Sequence, residues 1–429
     1  MSADPKPQLI RAAIFHTPAA RLAAHEDGAL AIRGGKIEGC GDFARLRVAH
    51  PDAEVVDWRG GFLLPGFVDA HVHFPQLRII GALGRSLLDW LDQVALPEEA
   101  RMADVGYATE TARQFVRALA SHGTTTAAVF GSHFSSATAA LFDAAEAAGL
   151  RVMSGLVLSD RRLRPELHHD PDRAYRESAA LIRRYHRRGR LLYAVTPRFA
   201  VSATEALLEV CQTLLKEHDD VRLHTHINEN EGEIAELKTL FPWAGDYLAV
   251  YERYSLSGPR SVMAHDVHVT DSELHRLAAA RTSIAHCPGS NAMLGSGCFP
   301  MRRHLAAGVH VALGTDVGGG LGFGLLKEAL HAYLTQRLST DGEVLDSGRL
   351  LYLATLAGAQ ALGLADEIGD FSEGKSADFV YLKPLPDSVL ESVVRHAGDA
   401  PQVLASLVTM GGAESVREVR IAGDTVYRQ

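Results

Sequence analysis

Residues 65–74 read PGFVDAHVHF, an apolar run that begins with a Pro-Gly turn and ends in two histidines one residue apart. Alternate residues of a β-strand point to the same side and lie about 6–7 Å apart along it. His71 and His73 are therefore predicted to face the same space from the end of one strand. Two imidazoles in this position can bind a metal ion, although a single histidine on a strand is more often a core residue.

Seven further apolar runs follow, and helical stretches separate them. The eight runs, rich in Val, Ile, Leu, Thr and Ala, cover residues 62–73, 123–131, 151–159, 191–199, 221–229, 261–267, 282–288 and 309–316. Several of the helical stretches end in glycine, the residue expected after a helix C-terminus. Buried strands that alternate with helices indicate an α/β fold with a parallel sheet, and eight such units predict a TIM-like (β/α)₈ barrel.

The two ends of the chain have a different pattern, in which short alternating segments are separated by glycine turns. Examples are ALAIRGGKIEGCGD near the N-terminus, and EGKSADFVYLK and VREVRIAGDTVYR near the C-terminus. These segments predict the strands of a small β-sandwich assembled from both termini. We therefore expect two units: a composite β-sandwich domain of residues 8–64 and 371–429, and a barrel domain of residues 65–370.

The composition argues against several classes of function. The 429 residues carry a net charge of −9 and contain no Lys/Arg-rich block, so a nucleic-acid partner is not expected. Four scattered cysteines without a CxxC motif argue against a thiolate zinc site and against a disulfide framework. No apolar run approaches the roughly 20 residues of a membrane span, and the N-terminal stretch lacks the pattern of a secretory signal. A cytoplasmic location without a membrane partner is expected.

Polar side chains collect at the C-terminal ends of the predicted barrel strands, where the active sites of such barrels lie. From strands 1, 5, 6, 7 and 8 in turn they are His71, His73, His224, His226, Glu229, His265, His286 and Asp316. Nitrogen ligands with a carboxylate and no thiolate suit a catalytic zinc or a similar divalent ion, which lowers the pKa of bound water to roughly 7. Glu229, three residues after His226, is the candidate proton carrier. Strand 4 contains no lysine that could bridge two metals, so one ion is expected.

The motifs PGFVDAHVH, HTHINE, MAH and LGTD together resemble those of the amidohydrolase superfamily, in particular its mononuclear metal-dependent deaminase branch. The resemblance covers nearly the whole chain and implies one Zn²⁺ per subunit, with Fe²⁺ as the alternative. The metal ligands that it implies are His71, His73, His226 and Asp316. It further implies that Glu229 shuttles protons, that His265 hydrogen-bonds the metal-bound water, and that Asp316 accepts a proton from that water. His224 does not belong to the family's ligand set and is interpreted as structural.

Further stretches are similar to the guanine-deaminating members of that branch. HFPQL places Gln76, and TPRFAVS places Arg198 and Phe199, where those enzymes contact the purine. An aromatic ring can stack on a planar base, an amide can both donate and accept, and a guanidinium can hold a carbonyl oxygen. The resemblance therefore implies hydrolysis of guanine, a small-molecule purine, to xanthine and ammonia in purine catabolism, by a chain that forms a homodimer.

Two alternatives stay open. The first is another deaminase of the same branch, acting on cytosine, a triazine or an adenosine-like thioether. The second is a catalytically inactive relative that serves as a binding protein, which the retained ligands and Glu229 disfavour. Arg78 follows HFPQL where a smaller residue is expected, and a side chain that pointed into the pocket would admit a substrate with an extra acceptor.

Overall fold

The computed structural model describes residues 6–429, whose strands form two sheets. In chain order the strands are β1 (Gln8–His16), β2 (Ala23–Arg33), β3 (Lys36–Asp42), β4 (Glu54–Pro65), β5 (Phe67–His73), β6 (Thr124–Phe130), β7 (Arg151–Gly155), β8 (Val157–Leu158), β9 (Leu191–Pro197), β10 (Arg222–Ile227), β11 (Ser261–His265), β12 (Ser283–His286), β13 (His310–Leu313), β14 (Phe379–Leu382), β15 (Val416–Ile421) and β16 (Asp424–Arg428). β5 to β13 belong to the barrel, and the other strands form a terminal sheet.

Most of the helices connect barrel strands or cover the outside of the barrel, whereas the first helix packs on strands β1 to β3 of the terminal sheet. In chain order they are α1 (Phe43–Ala49), α2 (Leu87–Trp90), α3 (Leu96–Ala100), α4 (Val105–Ser121), α5 (Ser135–Ala148), α6 (Pro171–Tyr185), α7 (Glu205–Glu217), α8 (Glu231–Leu240), α9 (Tyr247–Arg253), α10 (Asp271–Ala280), α11 (Pro288–Met293), α12 (Met301–Ala307), α13 (Leu325–Leu338), α14 (Ser347–Ala354), α15 (Leu356–Ala361), α16 (Val389–Arg395) and α17 (Ala400–Met410). A π-helical turn, Leu91–Ala95, joins α2 to α3. In the described part of the chain, none of the helices has the length and apolar character needed to span a bilayer.

The barrel is closed by main-chain hydrogen bonds between its last and first strands. Its eight parallel strands follow the order β5-β6-β7-β9-β10-β11-β12-β13, with β8 beside β9. Just after β13, Asp316 N donates to His71 O at 2.9 Å, and His73 N donates to Val317 O at 3.0 Å. The predicted (β/α)₈ barrel is confirmed, and its closure places Asp316 beside the two histidines of β5.

The first apolar run of the sequence, residues 62–73, belongs to both sheets. Pro65 ends β4 and pairs with Phe379 of the terminal sheet, whereas Phe67 begins the barrel. Gly66 lies between them, and a Cβ added there would lie 2.2 Å from Thr125 Oγ1. Only glycine fits where the chain passes from one sheet to the other. The run shows no break in hydrophobicity because the end of β4 and all of β5 are buried.

The terminal sheet has seven strands in the order β16-β15-β14-β4-β1-β2-β3. Its edge strand β3 meets the opposite half, since Lys36 pairs with Ser376 and Ala377 N donates to Gly35 O at 2.9 Å. The sheet is therefore folded on itself around a separate apolar core, as expected for a sandwich made from both termini. That core includes Ile10, Ile14, Leu30, Ile32, Leu63, Phe371 and Phe379. Helix α17 lies within the same C-terminal stretch but packs on barrel helices α13 and α14.

His16, at the end of β1, is a buried titratable group of the terminal sheet. Its Nδ1 accepts a hydrogen bond from Phe371 N–H at 3.2 Å. Burial lowers the pKa of His16 from 6.5 to about 4. The stability that depends on the neutral imidazole is therefore fully present above pH 6.5 and is lost as the pH falls toward 4, because the unfolded chain binds the proton first.

We predict that His16→Asn weakens the acid dependence of unfolding between pH 6.5 and 4. Asparagine can accept the Phe371 N–H through Oδ1 but does not titrate. Across this range the wild-type protein is expected to lose up to about 3 kcal/mol more unfolding free energy than the variant. Urea denaturation at a series of pH values measures the difference, and equal losses in both proteins would contradict the prediction.

Candidate active site

The ends of three barrel strands bring three imidazoles and a carboxylate to one point. Asp316 Oδ1 lies 3.2 Å from both His71 Nε2 and His73 Nε2. His73 Nε2 lies 3.1 Å from His71 Nε2 and 3.2 Å from His226 Nε2. Four ligand atoms that each lie about 2.1 Å from a shared centre are roughly 3–3.4 Å apart, so these distances fit a single divalent ion. The donor set of three nitrogens and one oxygen also suits such an ion.

Hydrogen bonds on the far sides of two imidazoles direct their lone pairs toward this point. His226 Nδ1 lies 2.6 Å from the carbonyl oxygen of Arg198, so Nδ1–H donates and Nε2 keeps its lone pair. His71 Nδ1 donates in the same way to His224 Nε2 at 2.8 Å. Burial lowers the pKa of His71 to about 3 and the pKa of His226 well below its ordinary value. Both rings are therefore neutral, as metal ligation requires.

The aspartate of PGFVDAHVHF connects the first barrel strand to the last. The Asp69 carboxylate accepts from Thr315 N at 3.0 Å, from Thr315 Oγ1 at 2.5 Å and from His71 N at 3.2 Å. The next residue, Asp316, has a left-handed backbone with φ of 48°, and His265 at the end of β11 has φ of 77°. Non-glycine residues in such conformations cost about 1–3 kcal/mol each and require support from their surroundings. Asp69 supplies that support beside Asp316.

Glu229 and His265 lie next to the proposed ligands. His265 Nδ1 donates to Asn291 Oδ1 at 2.9 Å, and its Nε2 lies 3.5 Å from Glu229 Oε2 and 3.8 Å from Asp316 Oδ2. Burial raises the pKa of the Glu229 carboxyl. Burial lowers the pKa of His265, but the carboxylates of Glu229 and Asp316 and the bond to Asn291 outweigh it, and the net pKa is raised. Both shifts favour proton exchange at this position.

The three residues expected to contact substrate line the same pocket. Phe199 and Arg198 follow β9, and Gln76 follows β5. The pocket also has an apolar part of its wall that we did not identify from the sequence. It consists of Leu87, Trp90, Leu91 and Leu294. Three of these side chains belong to the helical connection between β5 and β6, whose path over the barrel mouth no local pattern indicated.

Glu99 of α3 is a further residue that the sequence did not single out. Its side chain is buried, and its two carboxylate oxygens accept from Arg198 Nη1 at 2.8 Å each. Glu99 Oε1 also accepts from Gln76 Nε2 at 2.8 Å. The only feature of the sequence that could have indicated Glu99 is the acidic pair in the stretch LPEEA. The other member of the pair, Glu98, contacts Tyr107 and Arg101 instead.

Arg78 does not enter the pocket. Its guanidinium covers the Tyr107 ring at 4.3 Å from the ring centroid, and Nη2 donates to Gln114 Oε1 at 3.2 Å. His286 is a buried residue that stacks on Phe299, with ring centroids 4.4 Å apart. Neither side chain is among those that line the pocket.

His16, His25 and Cys40 form a second cluster with metal-ligand atoms near one another, in the terminal sheet. The bond from Phe371 N–H to His16 Nδ1 leaves the ring proton on Nε2, which faces Cys40 Sγ at 3.8 Å. A protonated nitrogen cannot ligate a metal. The cluster therefore serves as a hydrogen-bonded part of the terminal core.

Comparison with known proteins agrees with this geometry. The Amidohydrolase family matches residues 62–426, and an imidazolonepropionase-like composite domain of bacteria matches residues 28–53. The chain belongs to the amidohydrolase family, a family of metal-dependent hydrolases.

Its relatives within that family include proteins named guanine deaminase. The chain is 55% identical to the probable guanine deaminase of Deinococcus radiodurans, over 98% of each protein. It is 40% identical to the guanine deaminase of Escherichia coli, over 94% of this chain and 92% of that protein. The solved structure of E. coli guanine deaminase is similar with a TM-score of 0.95 at 38% identity, covering 98% of this chain and all of that one.

We predict that His224→Phe weakens metal binding although it removes no ligand. Phenylalanine leaves His71 Nδ1–H without its acceptor, and loss of such an outer partner typically lowers metal affinity by roughly 10–100-fold. His224→Gln is the matched control, because its Oε1 can accept the same hydrogen bond and should keep affinity near that of the wild type. Competition with a chelator measures both, and unchanged affinity in the phenylalanine variant would contradict the prediction.

Proposed function

We propose that this chain is a guanine deaminase, which replaces the amino group on the guanine ring by oxygen from water and releases xanthine and ammonia. The observation that carries the proposal is one pocket that three of the four candidate metal ligands line together with Gln76, Arg198 and Phe199. The fourth candidate ligand, His71, lies 3.2 Å from Asp316 Oδ1. The full-length identity to guanine deaminases supports it.

The metal in this proposal is one zinc ion per subunit, with Fe²⁺ as the alternative, since imidazole and carboxylate ligands accept both. The residues that would hold it are His71, His73, His226 and Asp316. When bound, such an ion lowers the pKa of water to roughly 7, so that hydroxide is available at neutral pH.

Two side chains divide the proton transfers in the proposed reaction, and His265 helps to hold the attacking water. Asp316 Oδ2 and His265 Nε2 face the same side of the ligand cluster and would hydrogen-bond the attacking water. Asp316 accepts a proton from the water as the water oxygen attacks the amino-bearing carbon of the ring. Glu229, whose Oε1 is held by Ser296 Oγ at 3.3 Å, carries a proton to the departing amino group, which leaves as ammonia.

Substrate recognition follows from the pocket walls. Phe199 provides an aromatic face on which a planar base can stack, and the apolar part of the wall excludes water. Arg198 can donate to the ring carbonyl oxygen, and the Gln76 amide can pair with the purine edge. A neutral, planar ring with a carbonyl fits this combination better than a charged or carbonyl-free ring.

We further propose a cytoplasmic location, a role in purine catabolism and a homodimer. The described cysteines are all unpaired, as suits a reducing compartment. Leu334, Leu338 and Val344 are exposed apolar side chains that a second subunit could cover. The division into a domain of residues 8–64 with 371–429 and a barrel of residues 65–370 is part of the same proposal.

Ammonia release from a panel of bases tests the proposed substrate. Purified, metal-loaded protein is expected to turn over guanine in preference to adenine, cytosine, a triazine and an adenosine-like thioether. If no ammonia were released from guanine but one of the other bases were turned over, the alternative deaminase would be supported and the proposal overturned.

We predict that Glu229→Gln lowers kcat on guanine by roughly 10²–10⁴-fold, the usual effect of losing a general acid–base group, while the metal content is unchanged. Glu231→Gln is the matched control, because Glu231 is exposed at the start of α8 and should leave kcat unaltered. Steady-state kinetics and metal analysis on both variants provide the measurement. Normal turnover by Glu229→Gln would show that another group moves the proton.

We predict that Asp316→Asn lowers metal affinity and kcat together, because one side chain provides both the ligand Oδ1 and the acceptor Oδ2. Metal content by elemental analysis and kcat at saturating metal separate the two effects. Full recovery of kcat by added metal would contradict the proton-acceptor role.

A further inference from the structure

Glu99 lies behind the purine pocket and contacts two of its recognition side chains at once. It accepts from Gln76 Nε2 and from Arg198 Nη1, each at 2.8 Å. Glu99 and Arg198 are 2% and 3% exposed, so solvent screens their charges only weakly. Glu99 itself is not among the residues that line the pocket.

We propose that Glu99 is the positioning residue that makes this pocket select a neutral, carbonyl-bearing purine over an anionic one. The inference rests on the proposed guanine deamination and assigns the source of its substrate preference. Glu99 acts through Gln76 and Arg198 rather than by touching the substrate.

The first effect of Glu99 is on the Gln76 amide. Gly318 N–H donates to Gln76 Oε1 at 3.0 Å, while Gln76 Nε2 donates to Glu99. A rotated amide would place its NH₂ against the Gly318 N–H and its oxygen against the carboxylate, and both contacts would be repulsive. The carboxylate therefore fixes which end of the amide faces each side of the pocket.

The second effect is on the position of the Arg198 guanidinium. Both oxygens of Glu99 accept from Nη1, so this one nitrogen is bound to the carboxylate. The main chain of Arg198 is held separately, because its carbonyl accepts from His226 Nδ1. With both ends fixed, the guanidinium is preorganised to donate to a ring carbonyl, and a preorganised donor is effective because binding costs little ordering.

The third effect is on charge. A buried guanidinium that loses its contacting carboxylate becomes an uncompensated cation, which is strongly unfavourable until an anion approaches it. His133 Nδ1 lies 3.4 Å from Glu99 Oε2, but burial lowers the pKa of His133 well below its ordinary value, so this ring is neutral. Glu99 is thus the anion in contact with Arg198, and it disfavours a second anion in the purine site.

The test compares Glu99→Gln with Glu98→Gln. Both substitutions remove one buried carboxylate charge from α3, but Glu98 faces Tyr107 and Arg101 outside the pocket. Guanine kinetics are measured together with calorimetric affinity for hypoxanthine, which is neutral, and for xanthine at pH 6.5 and 8.5, where the ligand passes from mainly neutral to mainly anionic. Glu99→Asp, which keeps the charge, is the second variant.

We expect Glu99→Gln to raise KM for guanine and weaken hypoxanthine binding by roughly 10–100-fold, with a smaller change in kcat. Its affinity ratio for xanthine at pH 8.5 over pH 6.5 should increase relative to wild type, whereas Glu98→Gln and Glu99→Asp should keep the wild-type ratio. A purely structural role would weaken both forms of xanthine equally.

Unchanged hypoxanthine binding and an unchanged xanthine ratio in Glu99→Gln would overturn the inference, as would the same shift in Glu98→Gln. If Glu99→Gln does not fold, Glu99→Asp decides the matter. Its shortened carboxylate keeps the charge but cannot reach both partners, so wild-type hypoxanthine affinity in this variant would overturn the inference. Absence of guanine turnover by the wild-type protein would instead contradict the proposed function, and the binding measurements would still decide the role of Glu99.

Discussion

The candidate site depends on the hydrogen bonds that join the end of β13 to β5. Asp316 N–H bonds to the His71 carbonyl, and His73 N–H bonds to the Val317 carbonyl, so closure of the barrel and assembly of the ligand cluster are the same event. The Asp69 carboxylate strengthens this seam by binding Thr315 and His71. Because His71, His73 and Asp316 lie within this seam and His226 lies on β10, their spacing is set by the barrel rather than by flexible loops.

A large part of the fold and of the site could be predicted because position in a barrel strand determines position in space. Each barrel strand is a short apolar run that is readily assigned as a buried strand. A polar residue at its C-terminal end must therefore lie at the mouth of the barrel. The side chains of His71, His226, Glu229, His265 and Asp316 therefore converge where the sequence placed them. Their individual roles stay predictions.

The features that could not be predicted are contacts with residues that are distant in sequence, because the local sequence does not determine which distant residue a side chain meets. Glu99 and Trp90 belong to the connection after β5, and their contacts depend on how that connection crosses the barrel mouth. His224 lies two residues before the candidate ligand His226 and is also a histidine, so the sequence pattern alone does not distinguish the two. The 2.8 Å distance between His224 Nε2 and His71 Nδ1 shows that His224 contacts a candidate ligand from behind. Gly66 separates two sheets inside one apolar run because of a close approach to Thr125, a residue distant in sequence.

The terminal sheet imposes an order on folding during synthesis. Strand β4 lies between β1, which is made before it, and β14, which is made after the whole barrel. Until the C-terminal strands leave the ribosome, one side of β4 presents unpaired main-chain groups of the kind that attract strands of other chains. The terminal sheet can therefore be completed only after the barrel and β14 have been synthesised.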